Sequence, residues 1–427
     1  MLSRRSVVEG LCGTILAGDG ELLGALPGPQ LLSAGVIARR GGDRHALRAV
    51  DGAVLREGRS PRLYRRGDPF RVASISKMVS ATGFMALVGA SAADLDADVS
   101  EYLGALLRHP AFPEIAITAR MLLSHTSGLR NGDDFPTPFN QSLLSRLDAA
   151  AREANYGGWF SPPDQAPGIV FGYSDVNYGV IGQIAERVSG KRFDQYMHDA
   201  VFTPLQLEIG YNWSGVSNAK RARAAPAARW VEGAWTAQVD AHPPRTPEPA
   251  LYRAEGDRFS RASDYQVGQN GLAFAPHGGL RLSLSDMDRL ARMFANGGEL
   301  NGARVVAREA LALMCSPAWA LDAAGTNGAS ENGHYRSFGL GVHVPVGGAP
   351  PPGLRGDAFF GGQSSAWRGH FGDAYGWMTG LFWNLQNQST IVYALNGMPE
   401  TDRPLGARSA LTAPEETLID LALQALG

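Results

Sequence analysis

The strand-forming runs of this chain lie near its two ends, with helix and loop between, so a sheet can form only from segments far apart in sequence. Residues 34–53 alternate around Gly41-Gly42-Asp43 as a hairpin would. Residues 377–383 and 390–396 read as strands joined across Gln386-Asn387-Gln388. Between the two ends, Met78, Val79, Thr82, Met85 and Ala86 recur at helical spacing over 74–88. Thr118 reads as the cap of a helix that ends near Gly128. Tyr178, Ile181, Ile184, Ala185 and Val188 share one face of a further helix, stopped by Gly190. Residues 284–297 predict another, with Ser285 before Asp286 at its start, and Thr412-x-x-Glu415 is a capping box opening the last. Residues 131–167 read as loop-rich, and 238–270 as a long polar connection carrying four prolines.

The fold class is therefore α/β, with a sheet built from both chain ends and a helical insertion between them. Residues 31–100 and 271–427 read as one α/β domain, 101–270 as a mostly helical inserted domain, and 1–30 as a leader.

Charge and cysteine usage exclude several functions. The 39 basic and 41 acidic residues leave a formal net charge of −2, which offers no field for nucleic acid or an anionic membrane. Two cysteines, Cys12 and Cys315, build neither a disulfide framework nor a cysteine zinc cluster. No two of the nine histidines lie closer than nine residues, so no helical pair is set to hold a metal. The uncharged helical stretch 78–93 is 16 residues long and mixed with Ser, Thr and Gly, too short for an integral membrane span. Ser3-Arg4-Arg5-Ser6 precedes a weakly apolar run over 7–18 that resembles a twin-arginine export signal. It points to a periplasmic or secreted protein, with a cytoplasmic one as the alternative.

Only three of the basic residues are lysines: Lys77, Lys191 and Lys220. Arginine does not give up its proton in a protein, whereas a desolvated lysine does. Lys77 closes the run Ser74-Ile75-Ser76-Lys77, and on a helix residues three apart share a face. A serine hydroxyl is a weak nucleophile until a base takes its proton. A buried lysine is such a base, because burial lowers its pKa. At a helix start, Ser74 also has a free backbone N–H to offer an oxyanion. The same spacing recurs at Ser217-Asn218-Ala219-Lys220, in a polar stretch. The bland alternative for Ser74 is a helix cap beside a solvated lysine.

Tyr173-Ser174-Asp175 precedes the 178–188 helix, and of twelve tyrosines only Tyr173 has Asn or Asp two positions on. A phenol beside an ammonium ionises more easily and shuttles a proton. His370-Phe371-Gly372-Asp373 opens a strand-like run in which Gly372 lets a substrate approach, and a strand N–H there would complete an oxyanion hole. His277-Gly278-Gly279 matches the same pattern, but Gly279-Leu280 leads into a helix, which favours His370.

In this order the motifs resemble the serine hydrolases of the class C β-lactamase, D-Ala-D-Ala carboxypeptidase and carboxylesterase group. That group carries Ser-x-x-Lys, then Tyr-x-Asn, then a Lys/His-x-Gly strand; here the steps between them are 99 and 197 residues. Leu122-Leu123-Ser124-His125-Thr126-Ser127-Gly128-Leu129 and Gly278-Gly279-Leu280-Arg281-Leu282-Ser283 are similar to the same group, and the resemblance runs from about Ser33 to Gly397. It implies a three-layer fold, an antiparallel sheet with helices on both faces. It implies an acyl-enzyme on Ser74, proton transfer by Lys77 and Tyr173, and His370 beside Tyr173 holding its hydrogen bonds. The N–H groups of Ser74 and Asp373 would form the oxyanion hole. No metal or cofactor is implied, and the partner is a small ester, amide or peptide substrate. His125, in a packed turn, reads as structural.

Two departures bear on the substrate. Asp175 stands where the group has Asn; an ionised Asp cannot donate to a substrate carbonyl. It would instead pair with Lys77, raise the lysine pKa and favour Tyr173 as the base. Phe371 stands where the β-lactamase and carboxypeptidase members have a Thr or Ser that helps bind a carboxylate, and Asp373 adds negative charge beside it. Both changes point to a neutral ester or amide. Two other readings stand beside this one. The first is a peptidase on D-amino acid amides or peptidoglycan stems, with Arg253, Arg258 and Arg261 binding the carboxylate. The second is a catalytically inactive ligand-binding domain. The oligomeric state is not legible in the sequence.

Overall fold

Three strands from the start of the chain, β1 (Ser33–Arg40), β2 (Arg44–Arg56) and β3 (Arg59–Leu63), share a sheet with three from its end. These are β4 (Trp367–Ala374), β5 (Trp377–Asn384) and β6 (Thr390–Asn396). The order is β4-β5-β6-β1-β2-β3, and every neighbouring pair is antiparallel. The two chain ends meet at β1 and β6, where Ser33 pairs with Asn396 and Val36 with Tyr393. The computed structural model describes residues 21–427 except 42–43, 136, 244–251, 254–258 and 261–264, with the backbone alone at 252–253 and 259–260. The twin-arginine run, Cys12, and Gly42 and Asp43 of the expected turn lie outside the described residues.

Because side chains alternate along a strand, the sheet divides its apolar residues between two cores. Val36, Tyr393 and Leu395 meet Leu418, Ile419 and Ala422 of the helix Ala413–Leu426 on one face. Ile37, Val392 and Ala394 meet Met287, Leu290 and Phe294 of the helix Leu284–Ala295 on the other. All seven residues of β6 are buried, as expected of a strand covered on both faces. This is the three-layer arrangement, and the expected capping box closes its last helix through Thr412 and Glu415. Leu22, in the short helix Glu21–Ala25, packs into the same core as Ala413–Leu426.

Two local expectations are corrected. The helix Leu284–Ala295 is capped by Ser283, in a capping box with Asp286. Ser285 lies inside the first turn, with its N–H on Arg66 O at 3.0 Å. Residues 227–237, not assigned from sequence, and 238–239, read as the start of the polar connection, form a hairpin of Ala227–Val231 and Ala234–Val239. Its two-residue loop, Glu232-Gly233, has both φ angles positive, the geometry that matches strand twist. Within the loop-rich 131–167, Leu143–Ala150 is helical.

The helix α1 (Ile75–Gly89) runs through the larger core, buried along nearly all of its length. Its entry lies against β4 so closely that a Cβ on Gly372 would sit 2.2 Å from Val72 O and 3.2 Å from Ser74 N. The helix α2 (Asp175–Ser189) packs beside α1 and ends at Gly190, φ +69°, the left-handed stop glycine supplies without strain.

Candidate active site

Ser74 follows a bend that a side chain resists. Ala73 has φ +50°, a region costing a residue with a Cβ on the order of 1 kcal/mol. Ser74 then returns to φ −68°, and its side chain makes no cap hydrogen bond. Lys77, on the first turn, is wholly buried. The cap beside a solvated lysine is therefore excluded on both counts. The matching Ser217-x-x-Lys220 is the ordinary case. Ser217 Oγ caps by accepting Lys220 N–H at 3.3 Å, and Lys220 Nζ is committed to Asp286 Oδ2 at 2.6 Å.

The Lys77 ammonium has three N–H groups and three acceptors. Nζ lies 3.1 Å from Ser74 Oγ and 3.0 Å from His277 O, and 2.6 Å from Asp175 Oδ1. Burial pulls its pKa down, Asp175 pulls it up, and the balance falls below the usual lysine value. The expected pairing with Asp175 is present, but its upward pull is the smaller of the two effects. Asp175 is pushed up by burial and held below its ordinary value by Lys77 and His277. It stands at the N-terminus of α2, where the helix dipole favours a carboxylate. Asn131 Oδ1 completes that terminus by accepting the Asp175 N–H at 2.8 Å.

The Tyr173 ring centre is 4.7 Å from Lys77 Nζ. Its hydroxyl is buried without an aligned hydrogen-bond partner among the described residues. Burial, and then the charge of Asp175, raise the phenol well above its usual value, against smaller pulls from the Ser74 and Tyr335 hydroxyls. Against the expectation that Asp175 favours Tyr173 as base, a neighbouring carboxylate resists a second negative charge.

His370 comes near Tyr173, with ring centres 6.3 Å apart, but holds no hydrogen bond to it. Its Nδ1 faces the Phe371 carbonyl, which can only accept, so the proton sits on Nδ1. Nε2 is buried without a partner among the described residues. Burial brings the His370 pKa down to about 3. β4 is the edge of the sheet. There Gly369 O accepts His343 N–H at 2.7 Å. Main-chain groups alternate along a strand, so residues 371 and 373 turn theirs to that same outer edge. The Asp373 carboxylate is gripped by Arg403, whose Nη2 is 3.2 Å from Oδ1.

Ser74 lies where two cavities meet. One, about 620 Å³, is lined by Arg71, Phe135, Asp175, Arg229, His277 and Arg403 among others. The other, about 390 Å³, has Tyr173, Tyr335, Phe371, Met378, Leu405 and Leu411 in its walls, together with the charged Glu331, Asp373, Arg403 and Glu415. Sequence reasoning set His277 aside, yet its carbonyl holds Lys77 and its ring lines the cleft; burial brings its pKa down to about 4. Arg71 was missed although it sits three residues before Ser74. Tyr335 and Arg403 carry no motif that would have marked them. The side chain of Arg253 is not described, and Arg258 and Arg261 lie outside the described residues. Among the described residues no group of three or more His, Cys, Asp or Glu is set to hold a metal, and no helix is long and apolar enough to cross a membrane.

A family model described as Beta-lactamase matches residues 22–413. Penicillin-binding protein 4 of Amycolatopsis lactamdurans is 28% identical over 263 residues, 60% of this chain and 60% of that protein. Penicillin-binding protein 4* of Bacillus subtilis (strain 168) is 27% identical over 180 residues, 40% of this chain and 36% of that protein. The matches thus span less than two thirds of these relatives' lengths. The D-amino acid amidase from Ochrobactrum anthropi SV3 complexed with D-phenylalanine superposes with a TM-score of 0.61 at 16% identity, over 99% of this chain and 98% of that one. An octameric penicillin-binding protein homologue from Pyrococcus abyssi gives 0.58 at 17% identity, over 92% and 73%. At such identities the superpositions speak for the fold. Matched along nearly its whole length, the chain belongs to the beta-lactamase family of serine hydrolases.

Proposed function

We propose that the protein hydrolyses a small ester or amide with an uncharged acyl group, through an acyl-enzyme on Ser74. The observation that carries this is the complete set of partners around Lys77 Nζ. A neutral amine keeps two N–H donors and gains one lone pair. Asp175 and His277 O take the two donors, which turns the lone pair toward Ser74 Oγ. Lys77 accepts the Ser74 proton as Oγ attacks the carbonyl carbon, and the N–H groups of Ser74 and Asp373 receive the oxyanion. The neutral Tyr173 phenol donates to the leaving group as the C–O or C–N bond breaks, and is reprotonated from Lys77. Water then repeats the sequence on the acyl-enzyme. The aromatic and aliphatic walls of the smaller cavity suit an apolar acyl group.

One observation favours the second reading, an amide or peptide whose leaving group carries a carboxylate. Around the cleft Lys77 is matched by Asp175, Arg229 by Glu400, and Arg403 by Asp373. Arg71 and Arg281 share the single carboxylate of Asp240, at 3.4 and 2.9 Å. The charge of Arg71, which lines the cleft with Ser74, is therefore only partly matched by its own carboxylate partner.

Fluorophosphonate labelling read by intact mass tests the enzyme. An adduct on the wild type, lost in Ser74→Ala and kept in Ser217→Ala, is expected; an unlabelled wild type would point to a binding domain. Faster turnover of p-nitrophenyl butyrate than of nitrocefin is expected, and comparable rates would overturn the neutral acyl group. Preference for a peptide ending in D-Ala-D-Ala, whose leaving amine carries a carboxylate, would select the second reading.

A further inference from the structure

His125 grips Tyr173 from both sides in sequence. Gly172 N–H donates to His125 O at 2.9 Å, and Ser174 N–H donates to His125 Nδ1 at 3.1 Å. Between these two bonds the Tyr173 ring lies on the imidazole, with centroids 4.3 Å and planes 28° apart. Tyr335 stacks on Tyr173 as well, at 5.2 Å and 20°. The phenol is thereby enclosed by rings and pinned at both flanking peptides.

The imidazole is itself fixed. Asn177 Nδ2 lies 3.2 Å from the same Nδ1, and Asn177 Oδ1 is taken by Ser127 Oγ at 2.6 Å, which sets the amide orientation. A backbone N–H can only donate, so Nδ1 is bare and the proton is on Nε2. The ring is wholly buried, and burial, with Lys77 and His370 nearby, keeps it neutral.

The backbone gives a separate reason to look for a role. His125 follows the C-cap of the helix Ala119–Leu123 with φ +59°. Its N–H bonds Leu122 O at 3.3 Å, and Thr126 N–H bonds Met121 O at 2.9 Å. This is a Schellman turn, at the one residue where glycine is favoured because a Cβ is strained. A buried side chain kept there has to contribute through what it touches.

We propose that His125 is a positioning residue for the reaction: it holds the Tyr173-Ser174-Asp175 turn so that the phenol faces Ser74 Oγ, without touching substrate itself. The inference rests on the acyl-enzyme reading given above. An acceptor at the place of Nδ1 is what the turn needs, so asparagine, whose Oδ1 falls near that place, substitutes for histidine in part.

The test is the rate of Ser74 modification by a fluorophosphonate, resolved into the maximal rate and the half-saturating concentration, in the full chain. His125→Ala is expected to lower the maximal rate about tenfold or more with the half-saturating concentration changed less than about threefold. His125→Asn should recover most of the loss. Equal losses in both variants, or none in either, would overturn the proposal. Should His125→Ala fail to fold, nitrogen-15 NMR of the wild type decides instead: Nε2 protonated and Nδ1 bare supports the clamp, and the opposite tautomer sinks it. A wild type that takes no label removes the acyl-enzyme reading, and the clamp with it. A labelled wild type with unaltered variants removes the clamp alone.

Discussion

Asp175 Oδ1 and Lys77 Nζ meet at 2.6 Å, joining the first turn of α2 to the first turn of α1. The carboxylate therefore reaches the group that also touches the nucleophile, and its charge acts on the chemistry through the lysine.

Removing that charge should be visible in a pH profile. Only the neutral amine takes the Ser74 proton, so kcat/KM rises with pH as Lys77 deprotonates. Asp175 holds the proton on, against burial. Asp175→Asn is expected to move the rising limb to lower pH, with a plateau within about tenfold of wild type because an amide still accepts a hydrogen bond. A limb that stays put or moves to higher pH would show that Lys77 is not the titrating base.

Gly372 has no room for a side chain. A Cβ would lie 2.2 Å from Val72 O and 2.5 Å from Thr379 Oγ1, so Gly372→Ala has to push the Ser74 entry away from β4. Turnover should fall by about a hundredfold, because a displacement near 1 Å misaligns the reacting groups. Stability should drop by about 1–3 kcal/mol. Denaturant unfolding beside kcat measures both, and unchanged turnover would mean that β4 does not frame the nucleophile.

The two Ser-x-x-Lys runs should part in opposite ways. Lys220→Met leaves Asp286 buried without its cation and is expected to lose about 3–5 kcal/mol, while the folded fraction still labels at Ser74. Lys77→Met should lose proton transfer, about a thousandfold in labelling rate. Labelling that survives the second substitution at full rate would refute the assignment of the base.

Arg71 separates the two substrate readings. If the leaving group carries a carboxylate, Arg71→Ala should lower kcat/KM for such substrates by about ten- to a hundredfold, the worth of one charged hydrogen bond. p-Nitrophenyl butyrate hydrolysis should be untouched. The same loss on both would place Arg71 in the framework of the cleft and not in recognition.

Where local signals and tertiary packing agreed, the sequence reading anticipated the structure. Gly190, Thr118 and the Thr412–Glu415 box end or open helices through bonds made within a few residues, and the strand-forming runs at both chain ends join one sheet. Ser74 and Lys77 were legible because one helix turn relates them. What failed to show was anything fixed by long-range approach. Tyr335 reaches Tyr173, and Arg403 reaches Asp373, only through the fold. His277 was set aside because its motif reads as entering a helix, whereas Leu280–Leu282 is a strand and the His277 carbonyl before it is what Lys77 uses. Asp175 meets Lys77 and pulls its pKa upward as its position implies, but the depth of burial that outweighs this pull is not written in local sequence.

The pairing of Ser33 with Asn396 has a consequence for biosynthesis. A ribosome must thread out everything between β1 and residue 396 before β1 can acquire its second neighbour, so the nascent N-terminal hairpin waits until then with one bare flank. Assembly of the cleft, which borrows β4 from the same segment, has to wait for it as well.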